Sequence, residues 1–180
     1  MSDSQLPRYM VFQQMAQDKP FVHNGTVHAP DLEMALLNGR DVFVRRPNAV
    51  GMFVVAESEI YARSLEELEK GDDGKAAAIS GGITQTYSVF GKISEIGQCQ
   101  SIGEVDAQSP RQAMQSAIKI FAESKVLLWW VFPALKALHS VGTDEDSMFK
   151  PVLEHRFKDQ AHYHVMTLMR QIKQHGKLKD

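Results

Sequence analysis

Histidines and carboxylates are the side chains of this sequence that could do metal chemistry, but their spacing argues against it. Seven histidines are present, and the two candidate groups are His23 with His28, and His155 with His162 and His164. A carboxylate-bridged di-iron centre needs Glu-x-x-His pairs on helices, and no glutamate here is followed three residues later by histidine. His162 and His164 would face opposite ways on a helix. We therefore expect surface or hydrogen-bonding histidines and no metal site.

Nucleophile and phosphate-binding motifs are also missing from the sequence. It contains no Gly-x-Ser-x-Gly nucleophile elbow, no phosphate-binding loop and no Gly-x-Gly-x-x-Gly. Cys99 is the single cysteine, and with no histidine or basic residue close in sequence we predict an inert thiol. A lone cysteine rules out an intrachain disulfide and fits a reducing cytoplasm.

Charge and hydropathy limit the classes of partner. The net charge of -2 on 180 residues gives no overall field that would recruit nucleic acid or an anionic membrane. The longest apolar run, Val126 to Leu135, is about half the roughly 20 residues that a membrane-spanning helix needs, so it is predicted to be a buried strand. The N-terminus lacks the apolar core of a signal peptide. A cytoplasmic protein that binds neither nucleic acid nor membrane is expected.

The segment from His23 to Arg46 indicates how these side chains are positioned. An extended stretch leads to a helix over Asp31 to Arg46, with Asp31 as N-cap, because its carboxylate can accept hydrogen bonds from the first turn. The apolar residues at helical spacing predict one buried face: they are Leu32, Ala35, Leu36, Gly39, Val42 and Phe43. With a preceding hairpin and a following strand over Val50 to Val55, the order of elements is ββαβ.

The same unit recurs 78 residues later (87 − 9 = 78), since Tyr87-Ser88-Val89-Phe90 repeats Tyr9-Met10-Val11-Phe12. The offset holds without a gap through the following strand and helix. The predicted cap Asp31 matches Ser109, which opens a capping box with Gln112. The second helix has a matching predicted face: Ala113, Met114, Ala117, Ile120 and Phe121.

These patterns predict an α+β fold of two ββαβ repeats related by pseudo-two-fold symmetry, plus a C-terminal helix over Pro151 to Gln174. The expected boundaries are residues 1–63 for the first repeat, 64–82 for a short helix and linker, 83–140 for the second repeat, and 141–180 for the C-terminal helix and tail. One such repeat is marginal alone, so two copies are expected to bury each other's open face or edge. The sequence leaves open whether the sheets stack or join edge to edge.

A charged patch distinguishes the two copies. Arg40, Asp41, Arg45 and Arg46 of the first copy correspond to Ile118, Lys119, Glu123 and Ser124 of the second. Either these residues form a solvated helix face, or they make a contact with a partner or an anion in one copy only. His28 and Trp130 are further candidates for partner contact, since Trp129-Trp130 lie on one strand and successive strand residues face opposite sides.

Several segments of the first copy together carry a family resemblance: Tyr9-Met10-Val11-Phe12, His23 to Ala29, Met34 to Val42, Arg45-Arg46, Phe53-Val54-Val55 and Ser58-Glu59-Ile60. They resemble the phenylacetic acid degradation protein B family, the small subunit of the phenylacetyl-CoA ring epoxidase. Family members are roughly half the length of this chain, and their tryptophan at the position of Phe53 is replaced here.

The resemblance implies a cytoplasmic, non-catalytic assembly subunit of a multicomponent aromatic acyl-CoA monooxygenase, in which other subunits carry the di-iron site. It also implies that this chain has no catalytic residue and no cofactor of its own. Its implied partners are those di-iron subunits, with a homo-oligomer also possible. Two alternatives remain. One is a free-standing small α+β monooxygenase or isomerase with a pocket lined by His23 or His28. The other is an acyl-CoA-binding regulatory module in which Arg45 and Arg46 hold phosphates.

Overall fold

The structure is a computed structural model, and it describes residues 6–44, 49–69, 83–122, 125–140, 147–149, 169–170 and 172. Strands and helices are mixed, so the α+β prediction is confirmed. The first half (residues up to 69) contains β1 (Arg8–Gln14), β2 (Val22–His28), α1 (Leu32–Phe43), β3 (Gly51–Ala56), a 3-10 turn (Glu57–Glu59), β4 (Tyr61–Ser64) and α2 (Leu65–Glu69). The second half (residues from 83) contains β5 (Gln85–Lys92), β6 (Gln100–Ala107), α3 (Pro110–Ile120), β7 (Leu128–Pro133), a 3-10 turn (Ala134–Lys136) and β8 (Leu138–His139).

The two long helices begin at the caps that the sequence predicts. The Asp31 carboxylate accepts from the Met34 amide at 2.8 Å, and the Ser109 hydroxyl accepts from the Gln112 amide at 3.3 Å. The return bond of the second cap differs from a standard capping box, because the Gln112 side chain accepts from the Gln108 amide at 3.1 Å. Each cap satisfies an amide that the helix itself leaves unpaired.

Several predicted boundaries and faces need correction. Helix α1 ends at Phe43, and Val42, predicted to be buried, is 44% exposed. Ile120, predicted on the buried face of α3, is 65% exposed, and the half-buried Ile118 packs inward instead. Strand β7 ends at Pro133, and Leu135 lies exposed in the following turn. The predicted C-terminal helix falls largely outside the described residues.

All eight strands belong to one antiparallel sheet in the order β4-β7-β5-β6-β2-β1-β3-β8. The halves join through β2 and β6, where Val22 pairs with Gln100. The outermost strands are exchanged: β4 of the first half pairs with β7 of the second, and β8 of the second half pairs with β3 of the first. Each half therefore completes the sheet of the other.

The sheet curls, so that its inner face closes on itself. A flat sheet with strands about 4.8 Å apart would separate β1 from β5 by about 14 Å, yet the ring centroids of Phe12 and Phe90 are 4.7 Å apart. The buried residues of this interior cluster are Phe12, Phe53, Val55, Phe90, Cys99 and Phe132. Helices α1 and α3 cover the outer face, with Ala35 and Ala113 fully buried against it.

Two glycines let the helix ends lie close to the sheet. A Cβ on Gly25, whose φ is +152°, would lie 2.7 Å from Cζ of Phe43, and a Cβ on Gly103 would lie 2.6 Å from Cζ of Phe121. Both distances are shorter than van der Waals contact, so a phenylalanine ring at the end of each helix takes the space that a side chain would need.

Candidate functional site

His23, one of the histidines that we considered as a metal ligand, packs against the interior cluster. Its ring centroid lies 4.9 Å from that of Trp130 and 5.3 Å from that of Phe12. Its Nε2 is buried and has no hydrogen-bond partner among the described residues. Burial lowers the pKa of His23, because the charged imidazolium loses hydration in this apolar setting. The neutral ring therefore acts as a packing element between the two halves.

We expect His23→Phe to flatten the dependence of stability on pH. His23 in the folded protein has a pKa below its unfolded value near 6.5, so below that pH the unfolded chain binds more protons and the wild type loses stability, at most about 1.4 kcal/mol per pH unit. The variant lacks this loss. Chemical unfolding at pH 7, 6 and 5 measures the effect.

The control for that experiment is His28→Gln, because His28 is exposed on the same strand. Stability should still depend on pH to some extent in the wild type and in His23→Phe, since burial also lowers the pKa of His139. Equal pH slopes for His23→Phe and the wild type would contradict the assignment of a buried neutral ring.

Cys99 belongs to the same interior cluster and is buried. Burial raises the pKa of its thiol to about 12. At neutral pH the side chain is therefore the protonated thiol, which is a poor nucleophile.

The outer face of α1 holds the described part of the predicted charged patch. Arg40 and Asp41 contact each other, with Nη2 of Arg40 2.9 Å from Oδ1 of Asp41. Arg40 is half-buried and Asp41 is exposed. Arg45 and Arg46 lie outside the described residues.

Sequence reasoning missed two apolar residues on this outer face. Met34 is 42% exposed and Leu37 is 41% exposed, and with Asp41 they follow the spacing i, i+3, i+7 of one helix stripe. The positions 78 residues later, on α3, are occupied by Gln112 and Gln115, which are both exposed. The signal was available in the sequence, because Met34 and Leu37 fall outside the predicted buried face.

The remaining predicted residues lie in different places. His28 is exposed near the start of α1: its Nδ1 lies 2.8 Å from the Leu6 carbonyl oxygen, and its own carbonyl accepts from the Asn38 amide group at 3.3 Å. Trp130 instead faces the interior cluster, whereas its neighbour Trp129 is buried beneath α3. The structure thus brings Arg40, Asp41 and His28 to α1 and its edge, and separates Trp130 from them.

The described ranges contain neither a metal-binding group nor a membrane-spanning helix. No three histidine, cysteine or carboxylate side chains there are grouped closely enough to hold a metal ion. No helix in that part of the chain is long and apolar enough to cross a membrane.

These features define the class of protein: an α+β chain of two ββαβ units that share one curled sheet, with an aromatic interior and an apolar stripe on its first helix. The profile of the family Phenylacetic acid degradation B (PaaB) matches residues 5–75. The B component of the 1,2-phenylacetyl-CoA epoxidase of Escherichia coli strain K12 is 42% identical over 67 residues, which are 37% of this chain and 70% of that relative. No solved structure matches the chain significantly. The chain belongs to the phenylacetic acid degradation B family.

Proposed function

We propose that this chain is a non-catalytic assembly subunit of a multicomponent ring epoxidase of the phenylacetyl-CoA type, acting in phenylacetate degradation in the cytoplasm. Its partners are the di-iron oxygenase subunits of that complex. The observation that carries the proposal is the 42% identity to the B component of a phenylacetyl-CoA epoxidase. The family profile matches residues 5–75, which contain α1.

The outer face of α1 is the proposed contact with those partners. Met34 and Leu37 supply an apolar centre, and Arg40 and Asp41 supply a charged border, which is the arrangement that protein interfaces favour. His28, Arg45 and Arg46 are proposed to extend the same contact. The polar residues at matching positions of α3 support this choice of face, because the fold does not need apolar side chains there.

We further propose that the halves are tandem copies of one ancestral unit, related by pseudo-two-fold symmetry, with units at residues 1–63 and 83–140. The pairing Tyr9 with Val27 and the pairing Tyr87 with Val105 share the offset of 78. At the junction Val22 pairs with Gln100, its own counterpart at that offset. The junction bonds are reciprocal as well, running from His23 N–H to the Cys99 carbonyl and from Ser101 N–H to the Phe21 carbonyl, each at 2.8 Å. Such a self-matching contact is what a two-fold axis produces.

Co-expression with the di-iron subunits of a phenylacetyl-CoA epoxidase tests the functional proposal. We expect a complex of fixed stoichiometry on size-exclusion chromatography, and epoxidase turnover that falls at least about tenfold when this chain is omitted. The catalytic subunits alone, each with bound iron quantified, are the control. A chain that neither co-purifies with these subunits nor changes their turnover would refute the proposal.

A further inference from the structure

An apolar cavity of about 520 Å³ opens between α2 of the first half and residues of the second half. It lies between α2, the C-terminal end of α3 and the start of β7. Its walls include Leu65, Leu68, Ile118, Val126 and Trp129. Trp129 is 4% exposed, so it is a buried part of the cavity wall. The volume falls within the range of small-molecule pockets, about 300–1,000 Å³.

The corresponding region of the first half is filled by side chains. Two lining residues of the cavity, Ala122 and Leu127, correspond at the offset of 78 to Val44 and Ala49. In the first half Val44 and Ala49 belong to a buried cluster that also includes Met148 and Phe149, so large apolar side chains from the other half fill that region.

The chain carries no such pair at the corresponding position of the sequence. At the offset of 78, Met148 and Phe149 match Lys70 and Gly71, a cation and a residue without a side chain. Met148 and Phe149 therefore pack against Val44 and Ala49 of the first half. Leu65 and Leu68 line the cavity at the corresponding place beside the second half.

Among the described residues that line the cavity, the single charged one is Lys125. It is exposed, and no hydrogen bond or ion pair joins it to another residue in the described ranges. An apolar cavity with a lysine in its lining suits a molecule with an apolar body and one anionic group, because burial favours the first and charge attraction the second.

From this geometry we propose that the cavity is a binding site for small apolar carboxylates, with the hydrocarbon body against Trp129 and the carboxylate at Lys125. The site is separate from the proposed subunit contact, because none of the described residues that line it belongs to α1. The apolar walls provide most of the affinity, and Lys125 provides selectivity for an anion over a neutral analogue of equal length.

Titration of the full-length protein with decanoate and with 1-decanol tests this proposal, at ligand concentrations below micelle formation. Trp129 fluorescence and the methyl NMR signals of Leu65, Leu68 and Val126 report the location of binding. We expect saturable binding of decanoate with shifts at these methyl groups, and weaker binding of 1-decanol.

Two variants with matched controls distinguish the contribution of the apolar cavity wall to decanoate binding from the contribution of the Lys125 charge. Ala122→Trp places a large ring in the cavity and should weaken decanoate binding about tenfold or more, whereas Gln115→Trp, exposed elsewhere on α3, should not. Lys125→Met should weaken decanoate binding about fivefold while leaving 1-decanol within about twofold, and Lys119→Met should change neither.

Three results would overturn the proposal. The first is an absence of saturable decanoate binding by the wild type, as expected of a cavity that receives only a protein side chain. The second is binding that persists unchanged in Ala122→Trp, which would mark general adsorption to apolar surface. The third is equal loss of decanoate and 1-decanol affinity in Lys125→Met, which would show that Lys125 does not recognise the carboxylate.

Discussion

Replacing Phe12 by alanine should lower the free energy of unfolding by about 3–5 kcal/mol, the range for deleting a large core aromatic ring. Phe12 is completely buried. Its ring stacks on Phe53 at 4.6 Å between centroids and lies 4.7 Å from Phe90 of the other half. Its loss therefore leaves a cavity at the point where the inner face of the sheet meets itself. Urea unfolding followed by circular dichroism measures the change.

The control is Ile120→Ala, which removes an exposed side chain and should change the free energy of unfolding by less than about 0.5 kcal/mol. A double-mutant cycle between Phe12→Ala and Phe90→Ala tests the contact between halves directly, with an expected coupling of about 0.5–1.5 kcal/mol for an aromatic pair. A loss below about 1 kcal/mol for Phe12→Ala, together with no coupling, would contradict the curled arrangement.

Introducing Met34→Glu and Leu37→Glu together should abolish co-purification with the di-iron oxygenase subunits, weakening the affinity about a hundredfold or more. Truncating one central interface residue costs about 2 kcal/mol or more, and the added carboxylates would also have to lose their hydration. Both positions are exposed in this chain, so its free energy of unfolding should stay within about 0.5 kcal/mol of the wild type. Surface plasmon resonance against the immobilised oxygenase subunits measures the affinity.

The second half supplies a matched control for this experiment. Gln112→Glu with Gln115→Glu adds the same two charges at the corresponding positions of α3, and the new carboxylate at position 112 can still accept the hydrogen bond from the Gln108 amide. This variant should bind the oxygenase subunits as the wild type does. Normal assembly of the α1 variant would exclude α1 as the contact face, and equal loss in both variants would indicate a charge effect without a specific surface.

The sequence determined the local structure well, because local structure depends on near neighbours along the chain. The N-caps of Asp31 and Ser109 are predictable from a side chain that can satisfy amides two or three residues ahead. Alternating and helical spacing of apolar residues identified six of the eight described strands and the inward side of α1 and α3, but not the short strands β4 and β8. Membership of the family was also predictable, because the resemblance covers several separate segments of the first half.

Periodicity failed at the helix ends, where Val42 and Ile120 are exposed. The spacing of apolar residues indicates which side of a helix faces inward, but it contains no information on how far along the helix the sheet extends. The cavity beside Trp129 could not be predicted from the sequence either, since its existence depends on which segments of the chain pack together there.

Only the tertiary structure decided how the two units combine. The sequence left open whether the sheets stack or join by their edges, and the structure does both: β2 joins β6, and the sheet curls until Phe12 meets Phe90. It also exchanges β4 and β8 between the halves. The physical reason is that backbone hydrogen bonding is the same along any strand edge, so the choice of partner strand depends on the burial gained by the whole arrangement and not on the pattern within one segment.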